Sequence, residues 1–276
     1  MGILLHTMAT PELDPLAAIG FAAGLGFNGI ELVCQEGYRC GVPPDIALDA
    51  AEALGRAARQ RAVPIAVLSA YEKRIAVPEE EIRAAAVERL CNAIDIAAAL
   101  GASSLRILAG EETADVDWQQ AIERLVGSMR TLGQRAAARS VSLLIENHMD
   151  TMATSAARTV AICEAIDRAD VGILFDPANL ATLGAEDFTS SFHLQRRWIH
   201  HVHVKDAVVI DGSRRSVVVG TGNDPWPELI QAMQTGGYTG DYSIEYERRW
   251  FSDLPNSEVA LPQAKKFIER QLSSRA

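Results

Sequence analysis

Short apolar runs alternate with amphipathic helical stretches along the whole chain, and this alternation narrows the folds open to it. GILLHTM, FNGIELV, VPIAVLS, SSLRILAG, VSLLIENH, VGILFD, WIHHVHV and DYSIEYE read as buried strands. Helical patterns lie between them: 13–24, an Ala-rich stretch after Pro44, 79–100, 118–139, and near 186–197, 225–235 and 259–272. Glu79, Glu80 and Glu81 complement a helix dipole at its start, and Gly101 supplies the stop. Strand-then-helix repetition demands right-handed crossovers and a parallel sheet. Eight such units in 276 residues point to an α/β fold, a single (β/α)8 barrel domain over 1–276. The runner-up is an open doubly wound sheet, but no G-x-G-x-x-G follows the first run. The last residues, 273–276, are expected to fray.

Composition excludes several function classes. At 48% hydrophobic and 22% charged, the chain suits a globular rather than a disordered protein. A formal net charge of -10 repels phosphate backbones and argues against nucleic-acid binding; solubility alone explains the charge. No uninterrupted apolar stretch is long enough to cross a bilayer. The start, MGILLHTM, lacks a basic leader region, so no signal peptide is expected. His6 stands where an N-myristoylation motif needs Ser or Thr. Cys34, Cys40, Cys91 and Cys163 form no C-x-x-C pair and read as reduced, mostly buried thiols, so a cytoplasmic protein is expected.

Four residues at or near strand ends carry most of the chemistry: Glu146, Asp176, His203 and Glu245. Each has a structural alternative. Glu146 could be a salt-bridged core carboxylate, Asp176 a helix N-cap before Pro177, and His203 a hydrogen-bonded core imidazole. Alternation along WIHHVHV puts His201, His203 and Lys205 on one face. Taken jointly, three carboxylates and one imidazole from four strand ends point to a divalent-metal site. Mn2+ is favoured, with Mg2+, Co2+ or Zn2+ as alternatives. In a parallel barrel those ends gather on the face where active sites are built.

Other positions carry weaker signals. Glu31 ends the second run and fits either a sugar-hydroxyl contact or an ion pair. Glu247 fits a loop residue that orients Arg248 or Arg249, or a solvated one. Gly220-Thr221-Gly222 before a helix could cradle a phosphate, but a plain turn is the preferred reading. Trp250 and Phe251 could wall a pocket against a sugar ring or another subunit. His6 reads as core or pocket lining.

The segments GFNGIEL, LLIENH, ILFDPAN, HHVHVKD, the GTG loop with its Pro-Trp, and GYTGDYSIEYE resemble the xylose-isomerase-like TIM-barrel superfamily of sugar isomerases and epimerases. By pattern the chain is similar to the D-tagatose 3-epimerase and hydroxypyruvate isomerase groups, with inosose dehydratase nearby. The resemblance implies Glu146, Asp176, His203 and Glu245 as metal ligands, and Glu146 and Glu245 as the acid/base pair. It also implies departures. Asn179 stands where the epimerases commonly place a substrate-binding His, and Val208 and Val209 lie where an Arg often follows. The implied reaction is isomerisation or epimerisation of a sugar or keto-sugar, by proton abstraction α to a carbonyl through a metal-stabilised enediolate. His148 would be a further acid or base, or a hydrogen-bonding neighbour of the ligands.

The rival enzyme reading is a lyase, in which the same enediolate expels a β-leaving group: a dehydratase, or an enzyme that cleaves a 3-keto-glycoside. The non-enzyme alternative is a sugar-binding barrel. An endonuclease-IV-like role needs more His and acidic ligands than a chain of 6 His, three of them in one strand, supplies. A homo-oligomer or an unidentified partner subunit is compatible with all of these readings.

Overall fold

The computed structural model describes residues 1–111 and 117–274. Its strands are β1 (Ile3–His6), β2 (Gly29–Cys34), β3 (Gly41–Val42), β4 (Ile65–Ala70), β5 (Ser104–Ile107) and β6 (Ser142–Glu146). They continue with β7 (Val171–Phe175), β8 (Ile199–Val204), β9 (Ala207–Ile210), β10 (Ser213–Ser216) and β11 (Asp241–Ile244). Eight of these pair in parallel in the order β1-β11-β8-β7-β6-β5-β4-β2, and β1 pairs with β2 to close the barrel. All eight apolar runs are therefore barrel strands. The short β3 extends β2, and β9 and β10 form a separate antiparallel hairpin.

Helices fill the crossovers: α1 (Pro15–Gly24), α2 (Leu48–Gln60), α3 (Glu80–Leu100), α4 (Trp118–Arg139), α5 (Ala156–Ile166), α6 (Pro177–Gly184), α7 (Phe188–Gln195), α8 (Trp226–Thr235) and α9 (Ser257–Ser273). The sequence reading lacked α5 and α6. Their starts are well marked locally: Ser155 caps α5 through the Arg158 N–H, and Asp176 caps α6 through the Asn179 N–H. Ser273 is the last residue of α9; residues 275–276 of the stretch expected to fray lie outside the described residues.

Two apolar layers hold the barrel. Outward strand residues such as Leu5, Ile30, Leu105, Ile145 and Ile173 belong to the cluster shared with the helices. The opposite strand face fills the interior, where Leu4, Val67, Leu144 and Leu174 are buried. Each stands two residues before a polar group: His6, Ser69, Glu146 and Asp176 respectively. Strand alternation thus stacks a polar layer on an apolar one, toward the C-terminal ends of the strands.

Candidate metal centre

Glu146, Asp176, His203 and Glu245 converge, with one candidate ligand atom from each within 4.8 Å of all the others. All four are buried. His203 Nδ1 lies 2.9 Å from Glu245 Oε2, 3.1 Å from Glu146 Oε1 and 3.7 Å from Asp176 Oδ2. Asp176 divides its two oxygens. Oδ1 accepts the Asn179 N–H at 2.9 Å, while Oδ2 faces the cluster. The N-cap reading of Asp176 and the cluster reading both describe this one side chain.

The other imidazole nitrogen, His203 Nε2, lies 2.9 Å from Glu31 Oε1. Glu31 also meets His201 Nε2 at 3.0 Å, Ser69 Oγ at 2.5 Å and His6 Nε2 at 3.6 Å. Glu31 is therefore a buried ion-pairing and hydrogen-bonding hub behind His203. With His203 Nε2 donating to Glu31, Nδ1 is left to face the carboxylates, an arrangement that fixes ring orientation and tautomer.

Two cations, one of them missed by the sequence reading, complete the site. Arg106 lies within the apolar run of β5 and is 1% exposed. Its Nη2 sits 2.5 Å from Glu146 Oε2, and its Nη1 donates to the Ala70 carbonyl at 2.7 Å. Lys205 Nζ sits 2.9 Å from Asp176 Oδ2, 2.8 Å from Glu245 Oε2 and 3.7 Å from Glu247 Oε1. Lys205 also donates to Asn179 Oδ1 at 3.3 Å, so the residue that departs from the epimerase pattern is part of the same polar group. Glu247 accepts a hydrogen bond from Ser216 and neighbours Lys205. It contacts the hairpin rather than Arg248 or Arg249.

Electrostatics and satisfaction both leave room for a cation. Burial pushes the Glu146 carboxyl up, but Arg106 and His203 outweigh it and hold it at about 2. Burial likewise opposes ionisation of Glu245, and Lys205, His203 and His6 hold it well below the usual range. Once His203 is neutral, as ligation through Nδ1 requires, Arg106 and Lys205 leave two negative charges uncompensated among Glu31, Glu146, Asp176 and Glu245; the protonated ring of the metal-free site offsets one of them. Glu146 Oε2, Asp176 Oδ2 and Glu245 Oε2 are buried without an aligned hydrogen-bond donor, although Arg106 and Lys205 stand at ion-pair distance. Unpaired buried charge is expensive. A donor set of three carboxylates and one imidazole fits a divalent cation.

His148 stands apart from the four. It is half-buried, and its Nδ1 lies 2.7 Å from the Met149 carbonyl. The GTG loop is a turn organised by Asp206. That carboxylate accepts N–H groups from Gly220 at 2.8 Å and from Gly222 and Ala207 at 2.9 Å. Gly222 is required there, since a Cβ would stand 2.1 Å from Asp206 Oδ1, and Gly220 has φ +88. Trp250 and Phe251 are about half exposed after β11. The four cysteines are free; Cys34, Cys40 and Cys163 are buried and Cys91 is partly so.

A closed parallel barrel with ionisable side chains gathered at the C-terminal strand ends defines the (β/α)8 class that builds its sites on that face. Within the class, a family model for the xylose isomerase-like TIM barrel matches residues 19–271, and the chain belongs to that family. It is 29% identical over 138 residues to an inosose dehydratase of Bacillus thuringiensis (strain Al Hakam), a match covering 49% of this chain and 43% of that protein. The chain thus spans less than half the length of the curated relatives it matches. A D-psicose 3-epimerase from Clostridium cellulolyticum H10 superposes with TM-score 0.82 at 16% identity over 99% of each chain. A probable 3-DHS dehydratase from Bacillus anthracis gives TM-score 0.77 at 20% identity, covering 98% of this chain and 99% of that one. At these identities the two structures share its fold.

Proposed function

We propose that the chain is a divalent-metal-dependent enzyme that moves a proton α to a carbonyl in a sugar or keto-sugar, as an isomerase or epimerase. The observation that carries this reading is the approach of Glu146 and Glu245, from two non-adjacent strands, to within 3.1 Å and 2.9 Å of one nitrogen of His203. A pure binding site does not need two such carboxylates. Glu146, Asp176, His203 and Glu245 would hold the ion, Mn2+ in the first instance. When bound, the ion supplies Lewis acidity toward adjacent carbonyl and hydroxyl oxygens. Glu146 and Glu245 then share the proton work: one removes the α proton and the other returns it on the opposite face or the neighbouring carbon. Arg106 and Lys205 hold these two carboxylates ionised and oriented. Glu31 orients His203. His148, two residues after Glu146 in sequence, would assist as a further acid or base.

A second reading is a lyase acting through the same α proton. It is favoured by Asn179, committed to Lys205 and the Asn147 carbonyl instead of presenting an imidazole, and by the dehydratases among the relatives. We further infer that residues 1–276 work as one barrel domain in the cytoplasm; no helix among the described residues is long and apolar enough to cross a membrane.

The test is solvent deuterium exchange by the Mn2+-loaded protein with ketoses, hydroxypyruvate and 3-keto-glycosides, followed by NMR. Label at the α carbon with a new isomer supports the isomerase or epimerase; label with a released group supports the lyase. Glu245→Gln should abolish exchange while leaving the fold intact. Undiminished exchange by that variant removes Glu245 from the mechanism.

A further inference from the structure

The carboxylate oxygens of the candidate centre divide into those that turn toward His203 Nδ1 and those that turn away. Glu146 Oε1, Asp176 Oδ2 and Glu245 Oε2 turn toward it, at 3.1, 3.7 and 2.9 Å. The other three turn away. Glu146 Oε2 meets Arg106, Asp176 Oδ1 accepts the Asn179 N–H, and Glu245 Oε1 faces His6 Nε2 at 3.9 Å.

The two buried cations hold different members of this set. Arg106 takes Glu146 by the oxygen that turns away and leaves Oε1 to the cluster. Lys205 Nζ lies 2.9 Å from Asp176 Oδ2 and 2.8 Å from Glu245 Oε2, two of the three oxygens that an ion beside Nδ1 would use. Arg106 therefore supports the donor set, whereas Lys205 claims part of it. Strand alternation brings Lys205 there. It follows His203 by two residues on the same face, and the register of β11 on β8, continued by the Glu245 N–H on the Val204 carbonyl, sets Glu245 beside it. Burial pushes the ammonium down, but Asp176, Glu245, Glu247 and Glu146 outweigh it and hold it well above its ordinary value, so the side chain is a cation.

Lys205 holds the two oxygens by charge. Neither Asp176 Oδ2 nor Glu245 Oε2 has an aligned donor, and the aligned hydrogen bond of Lys205 goes to Asn179 Oδ1 at 3.3 Å. A second seat stands nearby. Glu247 Oε1 lies 3.7 Å from Nζ, and Glu247, with its side chain 23% exposed against 11% for Lys205, is nearer the rim. Two cations on one oxygen repel each other, strongly in a buried site. An ion on Asp176 Oδ2 and Glu245 Oε2 must displace the ammonium or bind against its charge, and either lowers its affinity.

We propose that Lys205 is a built-in rival of the metal ion: its ammonium competes for Asp176 Oδ2 and Glu245 Oε2 and moves toward Glu247 when the ion enters. Glu245 stays ionised throughout, against the ammonium before and the ion after. The site is thereby tuned to an exchangeable ion, and its occupancy follows the free metal concentration. The inference rests on the metal centre of the proposed function.

The experiment is titration of the full chain with Mn2+ at one pH, with the free ion counted by electron spin resonance and the fold checked by circular dichroism. Lys205→Met and Lys205→Gln, which keep much of the length without the charge, should bind Mn2+ about tenfold tighter than wild type or more. Glu247→Gln should weaken binding when Lys205 is present, since the ammonium loses its second seat, and change it little in the Lys205→Met background. An equal loss in both backgrounds shows that Glu247 acts on the ion by charge alone, and overturns the displacement. Unchanged affinity in Glu247→Gln, which keeps Lys205 in place, overturns the second seat. Unchanged or weaker binding by both Lys205 variants makes Lys205 a support of the donor set and overturns the inference, while the metal centre stands. No Mn2+ binding by wild type or any variant overturns the metal centre and the inference with it. Binding by the Lys205 variants with none by wild type supports both.

Discussion

Glu31 Oε1 lies 2.9 Å from Nε2 of His203, and the opposite ring nitrogen faces Glu146, Asp176 and Glu245. A carboxylate behind an imidazole sets which nitrogen carries the proton and makes the other a better donor to a metal. Glu31→Gln keeps the shape but loses the charge. It should weaken Mn2+ binding by about 10- to 100-fold with the barrel intact. Titration of the apo protein followed by Mn2+ electron spin resonance measures this; an unchanged dissociation constant would show that Glu31 does not tune the site.

Arg106 is a buried charge whose main partner is Glu146. Replacing it with Met strips Glu146 of its guanidinium partner in the barrel interior and leaves the carboxylate against His203. The expected cost is about 3–5 kcal/mol in the metal-free protein, the usual penalty for breaking a buried pair. Bound Mn2+ should recover part of it by restoring the charge balance. Urea unfolding with and without Mn2+ reads both effects. Equal stability of wild type and Arg106→Met in the metal-free state would refute the pairing.

Metal loading should release a proton. Burial pushes the His203 imidazole down, but Glu31, Glu245, Asp176 and Glu146 outweigh it and hold it well above its ordinary value. Without metal the ring is therefore protonated at neutral pH, and Nδ1 has no lone pair to give. Binding at Nδ1 expels that proton, so affinity should rise with pH, by about tenfold per unit for a single proton. Calorimetry in buffers of different ionisation enthalpy counts the protons; a count of zero contradicts this.

Away from the site, Glu72 should shape the acid limb of stability. Burial pushes its carboxyl up, but hydrogen bonds from Arg74 and Arg89 prevail and hold it at about 2. Nε of Arg89 is 2.7 Å from Glu72 Oε2, and Nη2 of Arg74 is 2.9 Å from it. A depressed folded value stabilises above the unfolded value, near 4.5, and that contribution fades as pH falls toward 2. Glu72→Gln should flatten the decline in melting temperature across that window. A parallel decline in both proteins would place the acid sensitivity elsewhere.

The barrel was legible because each strand is an apolar run, most runs are followed by helix signals, and side chains alternate between the two faces of a strand. The ligand candidates were legible for the same reason: Glu146 and Asp176 close such runs, and His203 shares a face with His201. Arg106 was not found, although alternation along Ser104-Leu105-Arg106-Ile107 turns it inward like Ser69 and Glu146. A charge inside an apolar strand was the available signal. Glu31 was seen as either a sugar contact or an ion pair; its buried partners His201, His203 and Ser69 come from strands distant in sequence, so no local pattern could choose. The β9–β10 hairpin escaped because Val209 and Ile210 are exposed and only Ala207 of its two strands is buried, so it shows no alternating apolar face. Helices α5 and α6 are short, and their caps were the only strong mark.

Asp206 places an anion, supplied by the chain itself, in the amide cradle of Gly220 and Gly222. A phosphoryl group arriving at this loop would have to evict a tethered rival whose local concentration no free ligand matches. A phosphoryl group at this loop would therefore meet an occupied cradle and the charge of the carboxylate that occupies it. Inorganic phosphate should accordingly leave the amide resonances of Gly220 and Gly222 where they are.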